Sequence, residues 1–361
     1  MSRAIPAVFT GLILSIQLAA QTPEPALTRL RKSGVPEAPG SVPVLYPPEA
    51  KERALALQQS IEAAHAWFQK QLGIQVPVVL VLLDSAMQET ISDHNPIPHN
   101  RPSKVVPGMI LIPPPLGLSK PRPGMDRDHV PGGKLAGEHV LFHEDGHLIA
   151  NTLKFLQASP FVNELIANIF CVAYIRSQRP DLKWVLESEL DLSAPPRYTS
   201  LFDLENAGGG NPANYFWYQG KLERLADFLT KDQDFRTLVE KLEKVFPAGP
   251  YPGLEAIIAR LEAIRPGFAK ELGPLAGPST LLRIAPAACQ EPTNETRESL
   301  IVIQNDTDSL LDVTHPDGHK LTVDAHRLRP VRLPIGSSIR LPDDTCLRVR
   351  DEPSLAVFKK Q

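Results

Sequence analysis

The segment from Phe161 to Ile175 constrains the fold of this chain more than any other. Every residue in it is apolar or small except Asn163, Glu164 and Asn168. A helix that is apolar all round is a buried helix. A buried carboxylate without a partner is strongly unfavourable. The sequence therefore predicts a buried helix whose single carboxylate, Glu164, lies against a cation.

A second apolar segment offers donors for such a cation. The run His143-Glu144-Asp-Gly-His147 places two imidazoles at i and i+4 on one helix face, with Cβ atoms about 5–6 Å apart. Two imidazoles at this spacing can bind one Zn²⁺, and Glu144 can deprotonate a water on the metal. The flanks 140–142 and 148–150 are apolar, which indicates a half-buried helix. We expect Glu164 to share that metal.

Two alternatives are open at this point. Glu164 could instead pair with an arginine such as Arg176 or Arg197. The histidine pair could be His139 and His143, because histidines recur at i, i+4 and i+8. The outer two are about 12 Å apart along the axis and cannot share an ion. We favour the pair that brackets the glutamate, with His139 an ordinary solvated or core histidine.

The two segments together resemble a known family. HEDGH at 143–147 followed by NELIANIF at 163–170 resembles the gluzincin metallopeptidases, thermolysin-like or aminopeptidase-like zinc enzymes with an HExxH motif. The match covers roughly 30 residues. The resemblance implies three zinc ligands, a general base and a residue that orients a ligand, which are His143, His147, Glu164, Glu144 and Asn168.

The chain departs from the family pattern in three places. Asp145 puts a charge where the extended motif prefers an uncharged residue. The interval between His147 and Glu164 is a few residues shorter than in thermolysin-like enzymes. Asn168 stands where the family has an aspartate, and an amide orients a histidine less strongly than a carboxylate. No departure removes a ligand, so metal binding is still expected. Together the departures weigh against catalytic turnover more than against metal binding.

The segment 211–220 is the best candidate for oxyanion stabilisation. Gly and Pro residues mark a loop that enters a helix, with Tyr215 and Tyr218 near its start. It loosely resembles the tyrosine-bearing helix of aminopeptidase-like gluzincins. Both tyrosines could equally be core aromatics. Three further histidines precede the motif in loops and are expected to be solvated: His94, His99 and His129.

The N-terminal residues indicate export. Residues 1–20 have a basic start, an apolar run and small residues before Gln21, which is typical of a cleaved signal peptide. Residues 21–45 are rich in proline and predict a linker. A secreted or periplasmic location permits a disulfide between Cys289 and Cys346, whereas Cys171 is expected to be a buried free thiol.

The fold class predicted is α+β: a zincin-like domain over 46–274 with a mostly helical C-terminal lobe, then a small β-rich domain over 275–361. Helical periodicity and strand-like runs define its elements. Helices are predicted at 49–72, 134–156, 161–176, 212–229, 234–246 and 253–265, and strands at 76–83 and 109–112, with short β-runs after 300.

These features predict a secreted zinc metallopeptidase that hydrolyses peptide bonds with zinc-activated water and a glutamate base. Peptides or proteins are the expected substrates. A net charge of −3 gives no reason to expect nucleic acid, and no stable membrane span is expected after signal cleavage. The oligomeric state is left open. The alternatives are a catalytically weak metal-binding module on a degenerate peptidase scaffold and a hydrolase of another bond, such as an ester.

Overall fold

The structure is a computed structural model. It describes residues 23–359 except for short internal gaps. The gaps are 94, 96–97, 103–106, 114–131, 156–158, 184–195, 197, 208–211, 247–252, 290–296 and 325–326.

The described residues form a mixed α/β protein with two compact units. The first unit takes its residues from Leu14–Pro195 and Phe216–Gly273, and the second from Pro196–Tyr215 and Pro274–Gln361. The helices are α1 (Pro23–Lys32), α2 (Lys51–Leu72), α3 (Ser85–Ile91), α4 (Gly132–Thr152), α5 (Pro160–Gln178), α6 (Leu201–Ala207), α7 (Pro212–Thr230), α8 (Phe235–Val245), α9 (Leu254–Ile264) and α10 (Phe268–Glu271).

The first unit contains a five-stranded sheet. Its strands are β1 (Glu37–Ala38), β2 (Val44–Leu45), β3 (Val78–Leu82), β4 (His99–Arg101) and β5 (Gly108–Ile112), in the order β1-β2-β3-β5-β4. The strands β2, β3 and β5 are parallel, and β4 pairs antiparallel with β5 at one edge. Every residue of β3 and β5 is buried. Burial on both faces explains why both strands are apolar without interruption. Both were predicted as strands from these apolar runs.

The segment 21–45 was predicted to be a linker, but its described residues are part of the folded core. Residues 23–45 contain α1 and the strands β1 and β2, and Ala26, Leu27 and Leu30 are buried against the sheet. These three apolar residues recur at helical spacing, a signal that the high proline content of the segment obscured. His99, predicted in a loop, lies in β4.

The helices of the first unit pack through an aromatic cluster. Trp67 and Phe68 of α2 contact Tyr174 of α5, with ring centroids 5.7 and 6.0 Å apart, and Phe235 of α8 stacks on Trp67 at 5.0 Å. Phe142 of α4 meets Tyr174 edge-on at 4.8 Å. The predicted helices at α2, α4, α5, α7, α8 and α9 are confirmed, with ends within a few residues of the prediction. Their packing holds α4 and α5 side by side.

The second unit contains two four-stranded sheets, and its strands follow the short β-runs of the sequence. The strands are β6 (Leu282–Ile284), β7 (Glu298–Asp306), β8 (Leu311–Thr314), β9 (Lys320–Val323), β10 (Arg327–Pro334), β11 (Ser338–Arg340), β12 (Cys346–Arg348) and β13 (Ser354–Lys359). The orders are β10-β7-β13-β6 and β12-β11-β8-β9. Cys289 and Cys346, which the sequence left open as a possible pair, form a disulfide, and Cys171 is a buried free thiol as predicted.

Helix α6 belongs to the second unit although it precedes α7 in the chain. Asp203 of α6 is fully buried and accepts hydrogen bonds from the Ser279 hydroxyl at 2.6 Å and from the Thr280 backbone and hydroxyl at 3.0 and 2.8 Å. These bonds satisfy the carboxylate and tie α6 to the segment that leads into β6.

Residues 1–20, predicted as a signal peptide, lie outside the described residues. None of the helices in the described part of the chain has the length and apolar content that a membrane span requires.

Replacing Leu30 with alanine tests whether α1 is part of the folded core. Leu30 is fully buried among Leu45, Val79 and Ile91. Its truncation is expected to lower the free energy of unfolding by about 2–5 kcal/mol, because the site cannot fully collapse. Urea unfolding followed by circular dichroism measures the change, with the exposed Lys32→Ala as control. Equal stability of both variants would restore the linker interpretation.

Candidate metal centre

Helix α4 carries His143, Glu144 and His147 in a buried stretch. Residues 141–150 are all buried, and these three residues remain only 6–7% exposed. The two imidazole rings are 4.8 Å apart at an interplanar angle of 86°. One turn of helix therefore directs both rings to one point.

Helix α5 brings Glu164 to the same point. The helix begins at Pro160 after Ser159, whose hydroxyl accepts a hydrogen bond from the Val162 backbone at 3.2 Å, as an N-cap does. Glu164 lies in its first two turns and is 6% exposed. A start fixed by a cap and a proline determines the register of Glu164 relative to α4.

A glycine lets the two helices approach closely. A Cβ atom at Gly146 would lie 2.4 Å from the Ala167 carbonyl oxygen of α5. Any other residue would force the helices apart. Gly146 lies between the two histidines of α4, and Ala167 lies less than one turn after Glu164. The glycine inside the motif therefore allows the carboxylate of one helix to reach the imidazoles of the other.

The donor atoms of these three residues lie close enough together to hold one metal ion. His143 Nε2 is 3.1 Å and His147 Nε2 is 3.6 Å from Glu164 Oε2, and one donor atom from each residue lies within 4.8 Å of the others. Tetrahedral ligands about 2.0–2.2 Å from Zn²⁺ are about 3.3–3.6 Å from one another. The two distances from the imidazole nitrogens to the Glu164 oxygen are therefore close to those between the ligands of a tetrahedral zinc ion.

Two asparagines fix the orientation of the imidazoles. Nδ1 of His143 lies 3.0 Å from Asn168 Oδ1, and Nδ1 of His147 lies 3.2 Å from Asn163 Oδ1. An amide oxygen only accepts hydrogen bonds, so each Nδ1 carries the proton. The lone pair of each Nε2 is then left to bind a metal ion. Asn168 occupies the place that the sequence suggested for it; the contact of Asn163 was not anticipated.

Gln219 of α7 completes the support of Glu164 and was missed by the sequence reasoning. Its Nε2 donates to Glu164 Oε2 at 2.7 Å, and its Oε1 accepts from Asn168 Nδ2 at 3.0 Å. Gln219 therefore links the carboxylate to the amide that orients His143. Gln219 lies next to Tyr218 in the segment singled out for its tyrosines, but no local pattern marks it as a partner of Glu164.

The charge of this cluster is balanced within it. Burial alone raises the pKa of Glu164, but His147 and His143 outweigh burial and hold that pKa well below its usual range. Burial lowers the pKa of His147, whereas the Glu164 carboxylate raises it, with a net result of about 9. Without a metal, protonated His147 is a cation that compensates Glu164. A divalent ion in its place supplies the same compensation.

Two of the alternatives that the sequence left open, Arg176 and His139, have other partners. Arg176 forms an ion pair with Asp227, and Arg197 lies outside the described residues. His139 Nε2 lies 2.9 Å from a carboxylate oxygen of Glu223 on α7. The converging trio is His143, His147 and Glu164, so the histidine pair in it is the one that brackets Glu144.

Glu144 is held from the edge of the sheet. The Asn100 side chain in β4 donates to Glu144 Oε2 at 2.7 Å. Strand β4 is anchored by Asp93, which accepts a hydrogen bond from His99 at 2.9 Å and pairs with Arg101. Burial raises the pKa of Asp93, but the contacts with His99 and Arg101 outweigh burial and hold it well below its usual range. A fixed edge strand thus positions the carboxylate beside the ligands.

Asp145, the charged departure in the motif, points to a different partner. It is fully buried, and its Oδ1 lies 2.8 Å from His65 Nε2 on α2. Burial lowers the pKa of His65, but the Asp145 carboxylate outweighs burial and raises it. The extra charge therefore ties α4 to α2.

Of the two candidate tyrosines, the structure describes the side chain of Tyr218 alone. Tyr218 is fully buried and meets Trp217 edge-on at 5.1 Å. The Tyr215 side chain, together with His94 and His129, lies outside the described residues. Oxyanion stabilisation by Tyr215 or Tyr218 stays a prediction.

Comparison with known proteins adds little to this geometry. No family model and no curated protein matches the chain. A solved structure that it is similar to is Legionella pneumophila aminopeptidase A in complex with aspartic acid. The identity is 14% and the TM-score 0.41, over 81% of this chain and 34% of that chain. The chain thus spans about a third of that protein's length. At this TM-score the likeness establishes neither a family nor an activity.

Replacing Gln219 with alanine tests its support of the ligands. Loss of the bond to Glu164 is expected to weaken zinc affinity by about 10–100-fold, the usual effect of removing a partner of a metal ligand. Competition with a chromogenic chelator measures the affinity. Gln71→Ala, at the end of α2, is the control. Unchanged affinity in Gln219→Ala would contradict the role assigned to this contact.

The His65–Asp145 pair predicts a pH-dependent stability. Because folding raises the pKa of His65 above 6.5, the pair stabilises the fold fully below pH 6.5. That contribution is lost as pH rises through the raised pKa. Urea unfolding of His65→Gln in EDTA should show a larger loss of unfolding free energy, relative to wild type, at pH 6 than at pH 9. An equal loss at both pH values would exclude a charged His65.

Proposed function

We propose that this protein is a secreted zinc metallopeptidase of zincin-like architecture. The observation that carries the proposal is the convergence of His143, His147 and Glu164 within 4.8 Å of one another beside the buried Glu144. Two imidazole nitrogens and one carboxylate are the donor set of catalytic zinc sites in peptidases, which leave one position for water or substrate. The HExxH resemblance supports the same assignment.

Zinc would be held by His143 Nε2, His147 Nε2 and a Glu164 oxygen. When bound, it would supply Lewis acidity, which acidifies a water and polarises a peptide carbonyl. The chain's own residues supply the rest. Asn168 and Asn163 accept from each Nδ1, which would leave each Nε2 to bind the ion, and Gln219 keeps Glu164 in place.

Glu144 is proposed as the general base. It takes a proton from the attacking water and delivers it to the leaving amine, a role that needs a carboxylate within hydrogen-bond reach of the water. Asn100 donates to one of its oxygens, Oε2, and among the described residues no hydrogen bond is seen to the other oxygen, which is proposed to face the water. Tyr215 or Tyr218 is proposed to support the developing oxyanion.

Two further features support the extracytoplasmic part of the proposal. The Cys289–Cys346 disulfide fits an oxidising compartment. The signal-peptide pattern over 1–20 points to the same route. The zincin-like domain over 46–274 and the β-rich domain over 275–361 remain predictions.

The alternative is a metal-binding module that does not turn over. Its sequence support was Asp145 and the β-rich domain, and the buried pairing of Asp145 with His65 directs that charge towards α2. We therefore prefer the enzyme. Ester hydrolysis by the same residues is the remaining variant of the proposal.

Replacing Glu144 with glutamine distinguishes these functions. If Glu144 is the base, peptide hydrolysis should fall by about 10²–10⁴-fold while zinc content stays at the wild-type level. Mass spectrometry of a mixed peptide digest measures cleavage, and atomic absorption measures zinc. The exposed Glu52→Gln is the matched control.

Each result has a separate meaning. Full activity of Glu144→Gln would exclude the proposed base. A zinc-loaded wild type that cleaves no peptide but hydrolyses ester substrates would favour the ester variant. A zinc-loaded wild type that is inactive on both would favour the binding module.

A further inference from the structure

A second cluster of possible metal ligands lies in the hairpin between β8 and β9. The hairpin ends at the pair Thr314–Lys320, and the loop reads His315-Pro-Asp317-Gly318-His319. The backbone N–H of His315 donates to the backbone carbonyl of His319 at 2.9 Å, and the backbone N–H of Gly318 donates to the backbone carbonyl of His315 at 2.8 Å. The left-handed φ of Gly318, +92°, lets the loop close in this way. Backbone bonds therefore fix the loop.

The loop directs three donor atoms to one place. The rings of His315 and His319 stack with centroids 4.3 Å apart and planes at 22°. His315 Nδ1 lies 2.7 Å from Asp317 Oδ1, and His319 Nδ1 contacts the same oxygen. The His319 backbone N–H also donates to that oxygen at 3.1 Å, which holds the carboxylate between the rings. One donor atom from each residue lies within 4.8 Å of the others.

The donor set identifies the class of ion. Two imidazole nitrogens and one carboxylate oxygen suit Zn²⁺, Ni²⁺ and Cu²⁺, with Cu²⁺ bound most tightly, whereas Ca²⁺ and Mg²⁺ prefer oxygen ligands alone. The side chains of Asp317 and His319 are more than half exposed, so water can complete the coordination. A loop that already holds its donors close together loses little conformational entropy on binding.

We propose that His315, Asp317 and His319 form a second metal site, which binds a divalent transition-metal ion such as Zn²⁺ or Cu²⁺ through His315 Nδ1, His319 Nδ1 and an Asp317 oxygen. The site shares no residue with the centre on α4 and α5, so it stands whether or not that centre is catalytic. An ion bound here joins the two ends of the loop. Because it binds only the folded hairpin, it stabilises the second unit by mass action.

Metal titration of the full-length, tag-free protein tests the site. Calorimetry with ZnCl₂ on wild type should give two sites per chain, and His319→Ala should give one. In a His147→Ala background, which removes the buried centre, Zn²⁺ should still bind once. His319→Ala and Asp317→Asn in that background should each weaken binding by at least about tenfold, by analogy with the 10–100-fold effect of altering a metal site. Asp351→Asn, an exposed carboxylate of the same unit, is the control.

Cu²⁺ provides an independent readout of the ligands. Electron paramagnetic resonance of one Cu²⁺ on the His147→Ala protein should show hyperfine coupling to two imidazole nitrogens, and His319→Ala should remove one. The proposal is overturned if wild type and His319→Ala bind the same number of Zn²⁺ ions with the same affinity. It is equally overturned if the copper spectrum is insensitive to His319→Ala.

Discussion

The site on which this account depends is built around one buried carboxylate. Glu164 lies in α5, a helix whose other buried residues are almost all apolar. The negative charge of Glu164 is compensated by His143 and His147 of the adjacent helix α4. Without both histidines the buried carboxylate would have no compensating cation beside it, which is strongly unfavourable. The same contacts that make Glu164 tolerable in the core therefore gather the donor set of a zinc ion.

The elements around this carboxylate all restrict its position. Gly146 sets how closely α4 approaches α5, and Asn168 and Gln219 form a chain of hydrogen bonds from the imidazole back to Glu164. Donor atoms placed before the ion arrives need little reorganisation, which favours both affinity and a defined geometry. Asn100 gives Glu144 similar support from the sheet. The centre is thus assembled from three helices and an edge strand.

The helical part of this arrangement could be predicted from the sequence, because i, i+4 spacing and an apolar helix with one acid are local patterns. Asn168 could be placed for the same reason. Gln219 and Asn100 could not, since their contacts join segments 44–55 residues apart and depend on tertiary packing. The helix α1 was missed because proline-rich composition outweighed a short apolar period. The partner of Asp145, His65, is likewise set by how α2 packs on α4.

The most direct test of the central claim is X-ray absorption at the zinc edge of the protein purified with zinc, in a His319→Ala background so that only the buried centre is read. The account predicts one zinc per chain, with two imidazole nitrogens at about 2.0–2.1 Å and oxygen ligands at about 2.0–2.2 Å, and its loss in His147→Ala. A protein that stays free of zinc would contradict the account. So would a spectrum with one imidazole or none.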